Sequence, residues 1–243
     1  MKKKKKKMVI FIIIIGIMSI TLFNIINNKV LLNNIYHTIF GGYATIKLDT
    51  NENYDGIGQQ SVDNEDGYFT TFTTSDDKTY KEYKQNGDST WSNKEYWNGE
   101  MKDTGCGITV LSIILSGYGY NYTPEDLREK YYPVMDYTQL SDELSNTYEI
   151  KNSDFYFDSV HLSSDSIIKH LESGRPIIVC VWSNGEENRW TSASHYMALL
   201  ATDGNMVYVS NPNGLKNNSK SSGWYNIEEI TPYIAKALYI ESY

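Results

Sequence analysis

The 243-residue sequence predicts an α+β domain, with a buried helix packed on an antiparallel sheet. Three observations carry that prediction. An apolar run, Ile108–Leu115, follows Gly105-Cys106-Gly107 and exits at Ser116-Gly117-Tyr118-Gly119, which suits a helix of about three turns. Thr123-Pro124-Glu125-Asp126 is a helix start, with Thr as N-cap, Pro in the first turn and acids beside the positive end of the dipole. Further on, the continuous apolar run Ile177–Trp182 precedes two β-patterned segments, Ser194–Ala201 and Met206–Ser210, around the turn signal Asp203-Gly204-Asn205. Helices first and mostly antiparallel strands afterwards make an α+β arrangement.

Taken in order, the chain opens with Lys2–Lys7 and an almost unbroken apolar stretch, Met8–Phe23, extended by Ile25 and Ile26. A spanning helix needs about 20 apolar residues and a signal core about 7–15, and this stretch falls between. Asn24, Asn27, Asn28 and Lys29 follow it in place of a small-x-small cleavage pattern. Residues 1–30 therefore read as an uncleaved signal anchor, with the lysines in the cytoplasm and the rest of the chain outside; if the segment is cleaved, the protein is secreted. Residues 31–66, rich in Asn, Asp and Gly, read as a tether with a short strand at Ala44–Leu48, and residues 67–243 as the folded domain. Within that domain Tyr68–Thr74 alternates as a strand, Thr79–Gln85 is a short segment of undefined type, and Trp91–Trp97 is a loop with aromatic anchors. The β-branched residues of 108–115 keep a strand open as the competing reading there. Helices are expected at 124–131, Gln139–Tyr148 and Ser163–Glu172, the last with Gly174 and Pro176 beyond its end. A polar loop covers 183–193. Gly223–Tyr225 and Lys236–Glu241 are the last strands, with a helical turn at Ile227–Ile234 between them.

The formal net charge of -8 conceals an asymmetry. With the seven lysines of the first 29 residues set aside, 15 basic residues face 30 acidic ones. A surface that negative repels phosphate backbones, so no nucleic-acid partner is expected. The two cysteines, Cys106 and Cys180, are too few to build a disulfide scaffold, although an exported chain permits a bridge between them.

A thiol nucleophile needs a lowered pKa, a neighbouring base and donors for the oxyanion. Cys106 stands at the expected start of a helix, where the dipole favours thiolate, and its flanking glycines give the backbone freedom to turn. Of the four histidines, His37 lies beside the apolar segment, His161 and His170 read as surface residues at and on a helix, and only His195 stands at a strand mouth where a base can face a pocket. With a three-residue loop at 203–205, His195 faces position 213 and Asn211 is its diagonal neighbour on the same face, within roughly 7–8 Å. An amide there can accept from the imidazole N–H and fix the ring. A two-residue Asp-Gly turn would place the two on opposite faces, so the pairing requires the longer loop or a bulge. Gln85, 21 residues before Cys106, offers an amide donor for the oxyanion.

The segments Tyr83-Lys84-Gln85, Gly105-Cys106-Gly107-Ile108-Thr109, Thr123-Pro124-Glu125-Asp126-Leu127, Gly174-Arg175-Pro176-Ile177-Ile178, Ser194-His195-Tyr196 and Val207-Tyr208-Val209-Ser210-Asn211-Pro212 resemble, in order and spacing, the papain-like cysteine peptidases related to the bacteriocin double-glycine leader peptidases. The resemblance spans about residues 67–240. It implies a papain-like fold with the nucleophile on its N-terminal helix. It implies Cys106 as nucleophile, His195 as general base, Asn211 as orienter where many members carry Asp, and Gln85 as oxyanion donor. It implies a peptide or protein substrate and no cofactor. Two alternatives stay open: a peptidoglycan cross-link hydrolase of NlpC or CHAP type with the same machinery, and a non-catalytic surface module with Cys106 and Cys180 bridged or buried.

Overall fold

The computed structural model describes residues 59–61, 69–87, 89–183, 189–213 and 222–242. The signal anchor expected at 1–30 and the strand expected at Ala44–Leu48 lie outside these residues. Among the described residues no helix is long and apolar enough to cross a membrane.

Three strands come first: β1 (Gln59–Ser61), within the segment read as a tether, β2 (Phe69–Thr73) and β3 (Thr79–Tyr83) form an antiparallel meander. The undefined segment near residue 79 is thus a strand. Its burial alternates so that Tyr80 and Glu82 face inward, which a reading for apolar residues alone misses because one of the inward residues is a carboxylate. The aromatic loop at 91–97 contributes β4 (Glu95–Tyr96) of a small hairpin completed by β5 (Gly99–Glu100). A four-residue helix, α1 (Met101–Thr104), leads through Gly105 into α2 (Cys106–Gly117).

Every residue of α2 from Ile108 to Leu115 is buried, and that resolves the helix-or-strand ambiguity. A helix apolar all round must be covered on several sides. Phe72, Tyr80 and Tyr83 from the meander cover one, and Leu127, Leu140 and Leu144 from the helices that follow pack in the same core. The remaining cover is the central sheet, through Ile178, Ala198, Leu200, Tyr208 and Leu238.

Helix α3 (Pro124–Lys130) begins where the sequence places it, with a reciprocal capping box between Thr123 and Asp126. Helix α4 (Tyr137–Asn146) starts two residues earlier than expected, because Asp136 and Gln139 form a second capping box. Helix α5 (Ser164–Leu171) is capped by Ser163, and Gly174 follows it at φ +74°.

The central sheet has six strands in the order β10-β9-β8-β7-β11-β6, every adjacent pair antiparallel. Their spans are β6 (Asn152–Tyr156), β7 (Ile177–Trp182), β8 (Ser194–Asp203), β9 (Met206–Ser210), β10 (Gly223–Asn226) and β11 (Ile234–Ile240). On β7, Ile178 faces α2, while Ile177, Val179 and Val181 join a second core with Ile167 and Leu171 of α5. Burial on both faces explains the unbroken apolar run of this strand.

The β8–β9 turn has two residues, Gly204 and Asn205, with Asp203 opposite Met206. That register alone would not serve the predicted pairing. A bulge between Leu199 and Ala201 then shifts it, so that Leu199 faces Val209 and Ala198 faces Ser210. Below the bulge the register is the one the sequence argument requires, reached by its second route.

Candidate active site

Cys106 is the first residue of α2. Gly105 before it is sterically obligatory: a Cβ there would lie 2.5 Å from the Met101 carbonyl oxygen and 2.8 Å from the Met101 Sδ. Gly107 is under no such constraint, since a Cβ would meet the Tyr196 ring at 3.6 Å, an ordinary contact. The Cys106 sulfur receives the backbone N–H groups of Tyr196, Gly107 and Cys106 itself. Tyr196 is the residue after His195, so the sulfur lies against the peptide that carries the imidazole.

The expectation of a lowered thiol pKa needs correction. The three N–H donors act downward, as the helix-terminus argument predicts, but burial of the sulfur is the larger effect and holds the thiol above its ordinary value. Burial thus favours the neutral thiol at Cys106, and any attack by this sulfur would need a base to take its proton.

His195, the second residue of β8, is buried, and its Nε2 lies 2.7 Å from Oδ1 of Asn211. Asn211 is fully buried just beyond the end of β9. Its amide orientation follows from a second contact: the backbone N–H of Asn213, which can only donate, lies 2.9 Å from the same Oδ1. An oxygen so fixed accepts from Nε2, so Nε2 carries a proton, and in the neutral ring Nδ1 keeps its lone pair. That is the tautomer a general base needs.

Gln85 is 2% exposed. Its backbone N–H donates to the carbonyl of Pro212 at 2.9 Å, and its side-chain Nε2 donates to the carbonyl of Lys102 at 2.8 Å. It therefore joins the turn after Asn211 to the helix immediately before Cys106. The Lys102 carbonyl fixes the amide with nitrogen toward it, and Nε2 retains a second hydrogen.

The other described sulfur and imidazoles lie elsewhere or play other parts. Both cysteines are free, so the bridge held open by the sequence is not formed. Cys180 is buried opposite Tyr196, and its thiol is pushed up to about 11 by burial and then by Cys106. His161 is exposed and paired with Asp158 through Nδ1 at 2.7 Å. His170 is not the surface residue expected: it is buried, with Nε2 3.0 Å from the Ile240 carbonyl oxygen. It stands in the last turn of α5 on the face turned to β11, and its environment lowers its pKa, chiefly through burial.

Sequence reasoning missed the residues that hold Asn211 in place. Lys84 donates from Nζ to the Asn211 carbonyl at 2.8 Å and to Ser222 Oγ at 2.7 Å, and Ser222 Oγ accepts the Asn211 N–H at 3.0 Å. The only hint available was the position of Lys84 next to Gln85.

Among solved structures, the chain is similar to the peptidase domain of Streptococcus ComA, a bi-functional ABC transporter involved in a quorum-sensing pathway, at 18% identity and TM-score 0.42, covering 62% of this chain and 99% of that one. It is also similar to a double glycine motif protease from an AMS/PCAT transporter, solved in complex with the leader peptide, at 15% identity and TM-score 0.38, covering 56% and 84%. No curated protein sequence matches the chain. The model of the Peptidase_C39 like family matches residues 80–231, a stretch that takes in Gln85, Cys106, His195 and Asn211 and more than half of the sequence, and the chain belongs to that family.

Proposed function

We propose that the protein is a cysteine peptidase that hydrolyses peptide bonds through Cys106, His195 and Asn211, with Gln85 as oxyanion donor. The observation that carries the proposal is the His195–Asn211 hydrogen bond of 2.7 Å, which leaves Nδ1 as the basic nitrogen on the residue beside the peptide that holds the Cys106 sulfur.

In the proposed mechanism, Nδ1 of His195 takes the thiol proton as the sulfur attacks the substrate carbonyl carbon. The electron pair of the C=O moves to oxygen, where the second hydrogen of Gln85 Nε2 stabilises the oxyanion. Collapse of the intermediate expels the amine, which receives the proton from Nδ1. Water, deprotonated by the same nitrogen, then releases the acyl group and restores the thiol. Asn211 keeps the ring in one tautomer and orientation throughout, as the orienting member of a triad does. The same proposal places the catalytic domain outside the cell membrane, on an anchor at residues 1–30 or free after cleavage. The lysine run and apolar stretch at the start of the sequence support that placement.

A mixed peptide library tests the activity. The wild-type protein is expected to generate new N-termini at recurrent positions, and Cys106→Ala and His195→Ala to generate none. Equal cleavage by Cys106→Ala would end the assignment of the nucleophile.

A further inference from the structure

The orienting residue of the site is itself held by a closed polar clamp. The clamp starts on the segment that carries the oxyanion donor. Ser222 Oγ has two lone pairs, and it accepts both the Lys84 ammonium at 2.7 Å and the Asn211 N–H at 3.0 Å. The ammonium spends another donor on the Asn211 carbonyl at 2.8 Å. Both ends of the Asn211 main chain are therefore tied to one lysine and one serine. The next two residues of the same segment continue the attachment. Gln85 N–H holds the Pro212 carbonyl at 2.9 Å, and Asn86 Nδ2 donates to the Asn213 carbonyl at 3.1 Å and to its Oδ1 at 2.6 Å. Lys84, Gln85 and Asn86 thus grip residues 211, 212 and 213 one for one. The strap is itself anchored by Trp91, whose Nε1 donates to the Lys84 carbonyl at 2.7 Å.

We infer that Lys84, with Ser222, is a positioning residue for catalysis, setting the place of the Asn211 side chain and through it the orientation of the His195 imidazole. Burying an ammonium is costly unless each donor finds a partner, and a lysine is an unusual choice where a neutral side chain could fill the space. Glu82, two residues earlier and on β3, is the charged group whose field favours the ammonium, and burial acts against it. A charge-assisted bond to a carbonyl is stronger and shorter-ranged in geometry than a neutral one, which suits a group that must fix an atom's position. Partners that orient the ligands of a metal typically matter by about 10- to 100-fold, and a group that orients a triad member acts by the same geometric means.

The inference rests on the proposed peptidase reading, and a double-mutant cycle separates the two. The proteins are wild type, Lys84→Met, Asn211→Ala and the double variant. For each, kcat and KM on a library-derived peptide are measured, together with the rate of Cys106 alkylation by iodoacetamide at pH 7. In the wild-type background Lys84→Met is expected to lower kcat and the alkylation rate roughly tenfold with KM unchanged. In the Asn211→Ala background, where no side chain remains to position, the same change is expected to cost less than about twofold. An equal loss in both backgrounds, as a merely structural lysine would give, overturns the inference, and so does no loss in the wild type. If Lys84→Met shows no cooperative melt, Ser222→Ala in the same two backgrounds is judged by the same criteria. If the wild type hydrolyses no peptide, the peptidase reading fails, while the four alkylation rates still decide the role of the clamp.

Discussion

Replacing Asn211 by alanine removes an oxygen that accepts two hydrogen bonds inside a fully buried site, from His195 Nε2 at 2.7 Å and from the Asn213 N–H at 2.9 Å. The loss falls on two quantities that can be measured apart. During attack the imidazole becomes a cation, so its bond to Oδ1 is charge-assisted, worth ~1.5–3 kcal/mol. At about 1.4 kcal/mol per factor of ten, that predicts a fall in kcat of roughly 10- to 150-fold. In the resting state the same bond is neutral, and the Asn213 N–H is left without its side-chain acceptor. Stability should therefore fall by ~1–3 kcal/mol, a drop in Tm of several degrees for a domain of this size. The assay is steady-state cleavage of a peptide substrate with a thermal melt on the same preparation. Because Asn211 does not itself touch substrate in the proposed mechanism, KM should hold. A variant that melts lower but turns over like wild type would refute the orienting role. One that loses as much as Cys106→Ala would refute the assignment of Asn211 as a support.

Gly105→Ala should remove most activity and lower Tm, because the added carbon meets the Met101 backbone oxygen at 2.5 Å and a backbone atom cannot yield as a side chain can; cleavage rate and a melt check both. Gln85→Ala should lower kcat by about 10²–10³ with little change in KM, the usual result of losing an oxyanion donor, and a kcat equal to wild type would remove Gln85 from the mechanism. Cys180 gives a prediction on alkaline stability. The unfolded chain releases this thiol proton near 9.0 and the folded chain near 11, so the folded state holds the proton through that window. The associated stability is complete below pH 9 and falls by ~2–3 kcal/mol as pH rises through 11. Melts between pH 8 and 11 should therefore decline less steeply for Cys180→Ala than for wild type, with peptide cleavage at neutral pH retained.

What the sequence revealed was mostly local. The capping box at Thr123 and the all-round apolar run of α2 depend on residues within a few positions of each other, and both were readable. The edge strand β6 was not, because Asn152–Tyr156 opens on Asn-Ser-Asp and is at most half-buried, with Phe155 as its contribution to a core. The burial of His170 depends on β11 passing over the last turn of α5, seventy residues later in the chain. The site divides in the same way. Cys106 and His195 stand out by their flanking residues, and hairpin geometry brought Asn211 to His195 once a bulge was allowed. The bulge itself has no marker in Leu199-Leu200-Ala201. Nor does the sequence show that Lys84 meets Asn211, a contact across 127 positions. The thiol's pKa went the other way from the helix-terminus argument, because that argument counts the donors at α2 and omits the desolvation produced when the sheet closes over the sulfur.

The proposed chemistry turns on proton transfer between the Cys106 sulfur and His195 Nδ1. The most direct measurement is the rate of Cys106 carboxymethylation as a function of pH in wild type and in His195→Ala. Wild type is expected to react at least tenfold faster at pH 7, with the variant's curve displaced toward the high values of a buried thiol without a base. Superimposable curves for the two proteins would contradict it.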